Sequence, residues 1–241
     1  MQGRNHGNHG AGSDERGKNM TLIEAIEQRH SVRKYLDRRL TEEAVRGLRA
    51  VIDTVNAESG LHIQLVLNEP KAFRSGLIRY GGFSNANNYI AMVGPKGEKL
   101  DETCGYYGER IVLEAQRLGL NTCWVGFKVG KVPDAYEILP GEETALVIAV
   151  GYGANPGAPH RSKKPEQVSN LTADSPEWFR QGVKYALLAP TAINQQRFRL
   201  TLKNGNRVLA EKKRGPFSGV DLGIVKLHFE LGAGTDNFEW E

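Results

Sequence analysis

Tyr107-Gly108-Glu109-Arg110-Ile111-Val112-Leu113-Glu114-Ala115-Gln116-Arg117-Leu118-Gly119-Leu120-Asn121-Thr122-Cys123-Trp124-Val125-Gly126 changes character halfway along. Over 107–118, Ile111, Val112, Ala115 and Leu118 fall on one face, with Gly105 before them and Gly119 after, so the spacing predicts a core helix. The chain then enters a tight stretch of small residues holding one tryptophan. Gly126 lets backbone N–H groups approach the edge of a ligand, while Trp124 suits a core anchor equally well.

Outward from this stretch, helical and alternating patterns mix, as in an α+β domain. Leu22, Ile23 and Ile26 form one helical stripe over 20–29. Thr41 is a suitable N-cap, Glu42 and Glu43 sit in the first turn, and Val45, Leu48, Val51, Ile52 and Val55 recur at helical spacing. Ile63, Leu65 and Leu67 alternate as a strand, 89–93 reads as another, and 146–150 is a continuous buried strand. Ser175-Pro176-Glu177 caps a helix that runs to about Leu188; Phe198, Leu200 and Leu202 alternate again, and Asn204-Gly205 signals a two-residue hairpin. The helix-then-strand layout of 41–67 recurs over 175–202, and 111–120 is echoed by 224–233, at unequal offsets. Duplication and common helix and strand grammar both produce such an echo.

The chain has 241 residues, 39% of them apolar, enough for a real core. Its longest strongly apolar stretch, 145–150, is far below the roughly 20 residues of a membrane span, and no signal-peptide core follows the N-terminus, so a cytoplasmic protein without membrane partners is expected. Residues 1–19 lack Leu, Ile, Val and aromatics and read as a disordered leader or tag, with Met20 a candidate native start. Cys104 and Cys123 read as buried or site-lining thiols, and no metal-ligand cluster is visible. The 32 basic residues are set against 28 acidic ones along the chain, which favours a small anionic ligand over nucleic acid.

Four segments carry polar chemistry. Arg29-His30-Ser31-Val32-Arg33 brings two guanidinium groups and a hydroxyl close together, a pattern suited to phosphate and equally to a solvated connector. Arg161, Lys163 and Lys164 form a basic cluster in a loop rich in glycine and proline. Ala189-Pro190-Thr191-Ala192-Ile193-Asn194-Gln195-Gln196 offers hydrogen bonds to a planar polar ligand, or is a helix-ending turn that satisfies its own backbone. The fourth is the Trp124-Val125-Gly126 stretch.

Taken together with Gly151-Tyr152-Gly153 and Arg161-Ser162-Lys163-Lys164-Pro165, these segments resemble the nitroreductase family of FMN-dependent oxidoreductases, over nearly everything from Met20 onward. The resemblance implies an α+β sandwich with a mostly antiparallel sheet flanked by helices, an FMN cofactor, and NADH or NADPH as reductant. It places Arg29, His30, Ser31 and Arg33 at the flavin phosphate, ribityl chain and pyrimidine edge. Trp124, Val125, Gly126 and Phe127 fall against the isoalloxazine, and Arg161, Lys163 and Lys164 at the phosphate. It implies no side chain with a catalytic label; the flavin passes hydride from the nicotinamide to an electron-poor small molecule such as a nitroaromatic or quinone.

Two departures stand out. Members usually have a second glycine where this chain has Phe127. The Pro-Ser-x-x-Asn-type segment that crosses a homodimer to the partner's flavin is poorly matched at 55–59, and well matched by Pro190, Thr191 and Asn194, with Gln196 beside them. That relocation fits a subset with a degenerate two-fold inside one chain, its halves at about 20–170 and 171–241, as a monomeric pseudo-dimer or a homodimer. Two other readings are a flavin-binding or flavin-sequestering protein without turnover, and a flavin-independent anion-binding domain.

Overall fold

The computed structural model describes residues 20–74, 81–126, 132 and 134–241, so the expectations for 1–19 and for Phe127 lie outside the described residues. The chain begins with α1 (Leu22–Gln28) and α2 (Glu42–Ser59), followed by β1 (Gln64–Val66), β2 (Tyr89–Pro95) and α3 (Leu100–Arg117). Strands β3 (Asn121–Val125) and β4 (Glu142–Gly151) come next, then the short α4 (Pro165–Val168) and α5 (Glu177–Ala186). The chain closes with β5 (Phe198–Leu202), β6 (Arg207–Lys212), α6 (Ser218–Ala233) and β7 (Glu239–Trp240). Strands β1–β4 form an antiparallel sheet in the order β1-β2-β4-β3, whereas β5-β6-β7 form a second sheet with β6 and β7 parallel. This is the α+β architecture the resemblance implies, a mostly antiparallel sheet flanked by helices.

The first sheet is buried on both faces, and its period of two sorts the side chains. Ile90, Met92, Leu146, Ile148 and Val150 pack into the main core with the helices. Tyr89, Ala91, Val93, Val147, Ala149, Cys123 and Val125 pack into a second cluster on the other face. Helix α6 is apolar nearly all round, because α3 and α5 cover two sides of it.

Several sequence expectations shift. The helix predicted from 107 begins at Leu100, and Gly105 lies inside it. A Cβ at Gly105 would stand 2.0 Å from the Val220 carbonyl oxygen, so this glycine lets α6 cross closely and does not mark a boundary. Gly223 of α6 is its counterpart, because a Cβ there would stand 2.0 Å from the Glu102 carbonyl oxygen. Residues 121–125, read only as a tight stretch, form a strand. Ser175 does not cap α5: its hydroxyl accepts from the Thr172 N–H and Pro176 takes the cap position. Around Asn204-Gly205 the turn is longer than two residues, with Gly205 and Asn206 both in the left-handed region and Lys203 N–H donating to the Arg207 carbonyl. Thr41 does cap α2, its hydroxyl accepting from Ala44 N–H at 3.2 Å. The order α2-β1-β2-α3 recurs as α5-β5-β6-α6.

Candidate functional site

The Arg29–Arg33 segment leaves the end of α1 in extended backbone and lies against β3. Ser31 bridges Thr122 in parallel, and Val32 N–H donates to the Thr122 carbonyl at 3.0 Å. Extended backbone alternates its side chains, which sends Val32 into the core and leaves Arg33 exposed. Arg29, at the end of the helix, is only 4% exposed. Its Nε lies 3.8 Å from Glu109 Oε1, too far for a hydrogen bond, and neither Nε nor Nη1 has a hydrogen-bond partner. Burial, followed by the nearby Arg29 and His160, holds the His30 imidazole below its usual range, which favours its neutral form.

Trp124 points to the main core, where its indole N–H donates to Glu109 Oε2 at 2.8 Å. It can sit there because Gly108 has no side chain; a Cβ at Gly108 would be 2.6 Å from the indole. Val125 is buried in the second cluster. Gly126 lies under the ring of Phe217, so close that a Cβ would stand 2.5 Å from the ring. Phe217 is held there in left-handed backbone at the N-terminus of α6.

The turn after α5 is strained and tightly held. Ile193, Asn194 and Gln196 have φ of +47°, +54° and +45°, each costing about 1–3 kcal/mol, and a β-branched residue is the worst suited of the three. Lys163 Nζ donates to the Gln195 and Gln196 carbonyls, and Lys163 N–H donates to Gln196 Oε1. Asn194 and Gln196 both donate to the Arg161 carbonyl, while Thr191 Oγ1 accepts from Gln196 N–H. Asp221, in the first turn of α6, accepts from Ala192 N–H at 2.9 Å and Gln195 Nε2 at 2.7 Å. Burial raises its carboxyl to about 6.

Two routes bring the distant motifs together. Gly157, in the loop after β4, packs on His30: a Cβ there would lie 2.7 Å from His30 Cβ. Farther along the same loop, His160 Nε2 and Ser162 Oγ contact the Leu187 carbonyl just before the strained turn. On the other route, Phe217 covers Gly126, and the neighbouring Pro216 carbonyl accepts from Gln195 Nε2. Pro190 and Thr191 are half-buried between these contacts. Arg161 and Lys164 are exposed, and Lys164 N–H is bonded to Gln167 Oε1.

Sequence reasoning missed Glu109, Asp221, His228 and Phe217. Glu109 stands beside the apolar face of α3 and looks like any surface glutamate of a helix. Ser218-Gly219-Val220-Asp221 has the spacing of a helix cap, which hides the reach of Asp221 to another segment. Both cysteines are free and buried, and burial pushes Cys104 up to about 12. Among the described residues no group of His, Cys, Asp and Glu is arranged to hold a metal ion, and no helix is long and apolar enough to cross a membrane. A separate cavity of about 540 Å³ lies between α1, α3 and α6 and holds none of the motif residues.

The family model described as "Putative TM nitroreductase" matches residues 21–233. Among solved structures, the chain is similar to a putative nitroreductase from Thermotoga maritima, with 23% identity and a TM-score of 0.64 over 95% of this chain and 88% of that one. A putative nitroreductase from Desulfovibrio desulfuricans in complex with FMN shares 20% identity and a TM-score of 0.51, over 66% of this chain and 99% of that one. A nitroreductase family protein from Streptococcus pneumoniae shares 16% identity and a TM-score of 0.51, over 61% and 98%. At these identities the likeness is one of fold. No curated protein sequence matches.

Proposed function

Because the chain belongs to the family described as "Putative TM nitroreductase", we propose that it is an FMN-dependent NAD(P)H oxidoreductase acting on an electron-poor small molecule such as a nitroaromatic or quinone. Arg29 carries this reading: it is a buried guanidinium with two unpartnered nitrogens, in a segment that lies against β3 and its following Gly126. A buried charge of that kind calls for an anionic partner. The group that fits is a flavin phosphate or the electron-rich edge of its pyrimidine.

When bound, FMN supplies the hydride chemistry, accepting from NADH or NADPH and giving to the acceptor. The chain's own residues bind and orient. Arg29, His30, Ser31 and Arg33 would hold the anionic end of the cofactor, with Arg161, Lys163 and Lys164 on the side of the basic loop. Trp124, Val125 and Gly126 would offer backbone along the ring edge. Pro190, Thr191, Asn194 and Gln196 would stand where a partner subunit's loop stands in a homodimer, so that the halves 20–170 and 171–241 form one pseudo-dimeric site. Lys163 serves this indirectly, through its bonds to the Gln195 and Gln196 carbonyls. Neutral His30 can donate to a flavin oxygen without adding charge.

Purified protein should absorb in the flavin bands and bleach anaerobically on addition of NADH or NADPH; protein that takes up no FMN would refute the proposal. Phe217 favours a second reading, flavin binding without turnover, because its ring already covers Gly126. A yellow protein that neither nucleotide reduces would select that one.

A further inference from the structure

Arg29, Glu109 and His228 are 4%, 0% and 0% exposed, and they form one cluster behind the candidate site. The hydrogen positions of His228 follow from its neighbours. Nδ1 faces the Tyr185 carbonyl at 3.2 Å, and a carbonyl only accepts, so Nδ1 carries hydrogen. Nε2 faces Glu109 Oε1 at 2.9 Å, where two lone pairs would repel, so a proton lies between these atoms. Whichever atom carries that proton, the Glu109–His228 pair has a net charge of zero. Glu109 Oε2 is meanwhile taken by the Trp124 indole. The other buried carboxyl among the described residues, Asp221, is committed to Ala192 and Gln195. Arg29 is therefore 3.8 Å from a carboxylate that is already compensated, and the cluster keeps a charge of +1.

We propose that His228 is a positioning residue that stops Glu109 from neutralising Arg29, so that a full buried positive charge is reserved for the anionic end of the cofactor. This rests on the FMN reading above. It differs from a structural role because it depends on charge: removing the shared proton switches Arg29 off, and removing the carboxylate as well switches it back on. In His228→Gln the amide can still bond Glu109, which then keeps its full negative charge opposite Arg29. In the double variant Glu109→Gln/His228→Gln both partners are neutral and the charge of +1 returns.

The test is fluorescence titration of the apoprotein with FMN, with circular dichroism to confirm folding. His228→Gln should raise the dissociation constant about tenfold or more, the scale of one charge-assisted hydrogen bond. The double variant should return to within about threefold of the parent. A merely structural role predicts the double variant to be at least as weak as the single one. Parent-like binding by His228→Gln, or a double variant no better than the single, would overturn the proposal. Should His228→Gln not fold, Glu109→Gln alone also leaves the cluster at +1 and should bind FMN within about threefold of the parent; a tenfold loss there would overturn it instead. A parent protein that binds no FMN at all would sink the functional reading and is distinguishable from each of these outcomes.

Discussion

Arg29 leaves water without gaining a hydrogen-bond partner for Nε or Nη1. Burying a charge typically costs several kcal/mol, so an uncompensated guanidinium persists only where surrounding structure or a ligand offsets it. Arg29→Ala should weaken FMN binding about 10- to 100-fold, the range for hydrogen bonds to a charged group, as read by retained flavin after gel filtration. Unchanged flavin content would show that the anionic group lies elsewhere. The arginine's place in the chain was legible in the sequence, since the Arg-x-Ser-x-Arg spacing marks an anion site or a connector. Its burial was not, because Glu109 and His228 reach it from 80 and about 200 residues away, and helix spacing carries no trace of that.

At the scale of elements, the strained turn between α5 and β5 and the first turn of α6 act as one unit through Asp221. The Asp221 carboxyl titrates near 6 in the folded protein, above the usual unfolded value of about 3.9. The native state therefore binds this proton more tightly than the unfolded chain. The contribution of Asp221 to stability is greatest below about pH 4, falls as pH rises to about 6, and is flat above that. Asp221→Asn removes this dependence, so thermal melts should show the variant gaining on the parent between pH 4 and pH 6. A constant difference across that window would contradict the assignment. Long periodic elements such as α2 and β4 were readable in the sequence because their apolar faces meet one core. Helix α3 was misplaced at its start, since Gly105 acts through a partner helix that sequence spacing does not reveal, and β3 was hidden by its short, mixed composition.

For the whole molecule, the crossing of α3 and α6 sets how the two α-β-β-α runs meet. Gly105 sits on the backbone of α6 and Gly223 on the backbone of α3, so the contact between the two helices is reciprocal. Gly105→Ala and Gly223→Ala should each destabilise the fold by about 1–3 kcal/mol or more in chemical denaturation, because backbone cannot move aside as a flexible side chain does. Parent-like midpoints would mean the helices have room to part. Under the proposed function, one chain supplies both sides of one flavin site, through Arg29–Arg33 and Pro190–Gln196. Calorimetric titration of the apoprotein with FMN, with mass measured by light scattering, tests it most directly. One FMN bound to a monomer is expected; FMN bound only by a dimer, or not bound at all, would rule out a single-chain site.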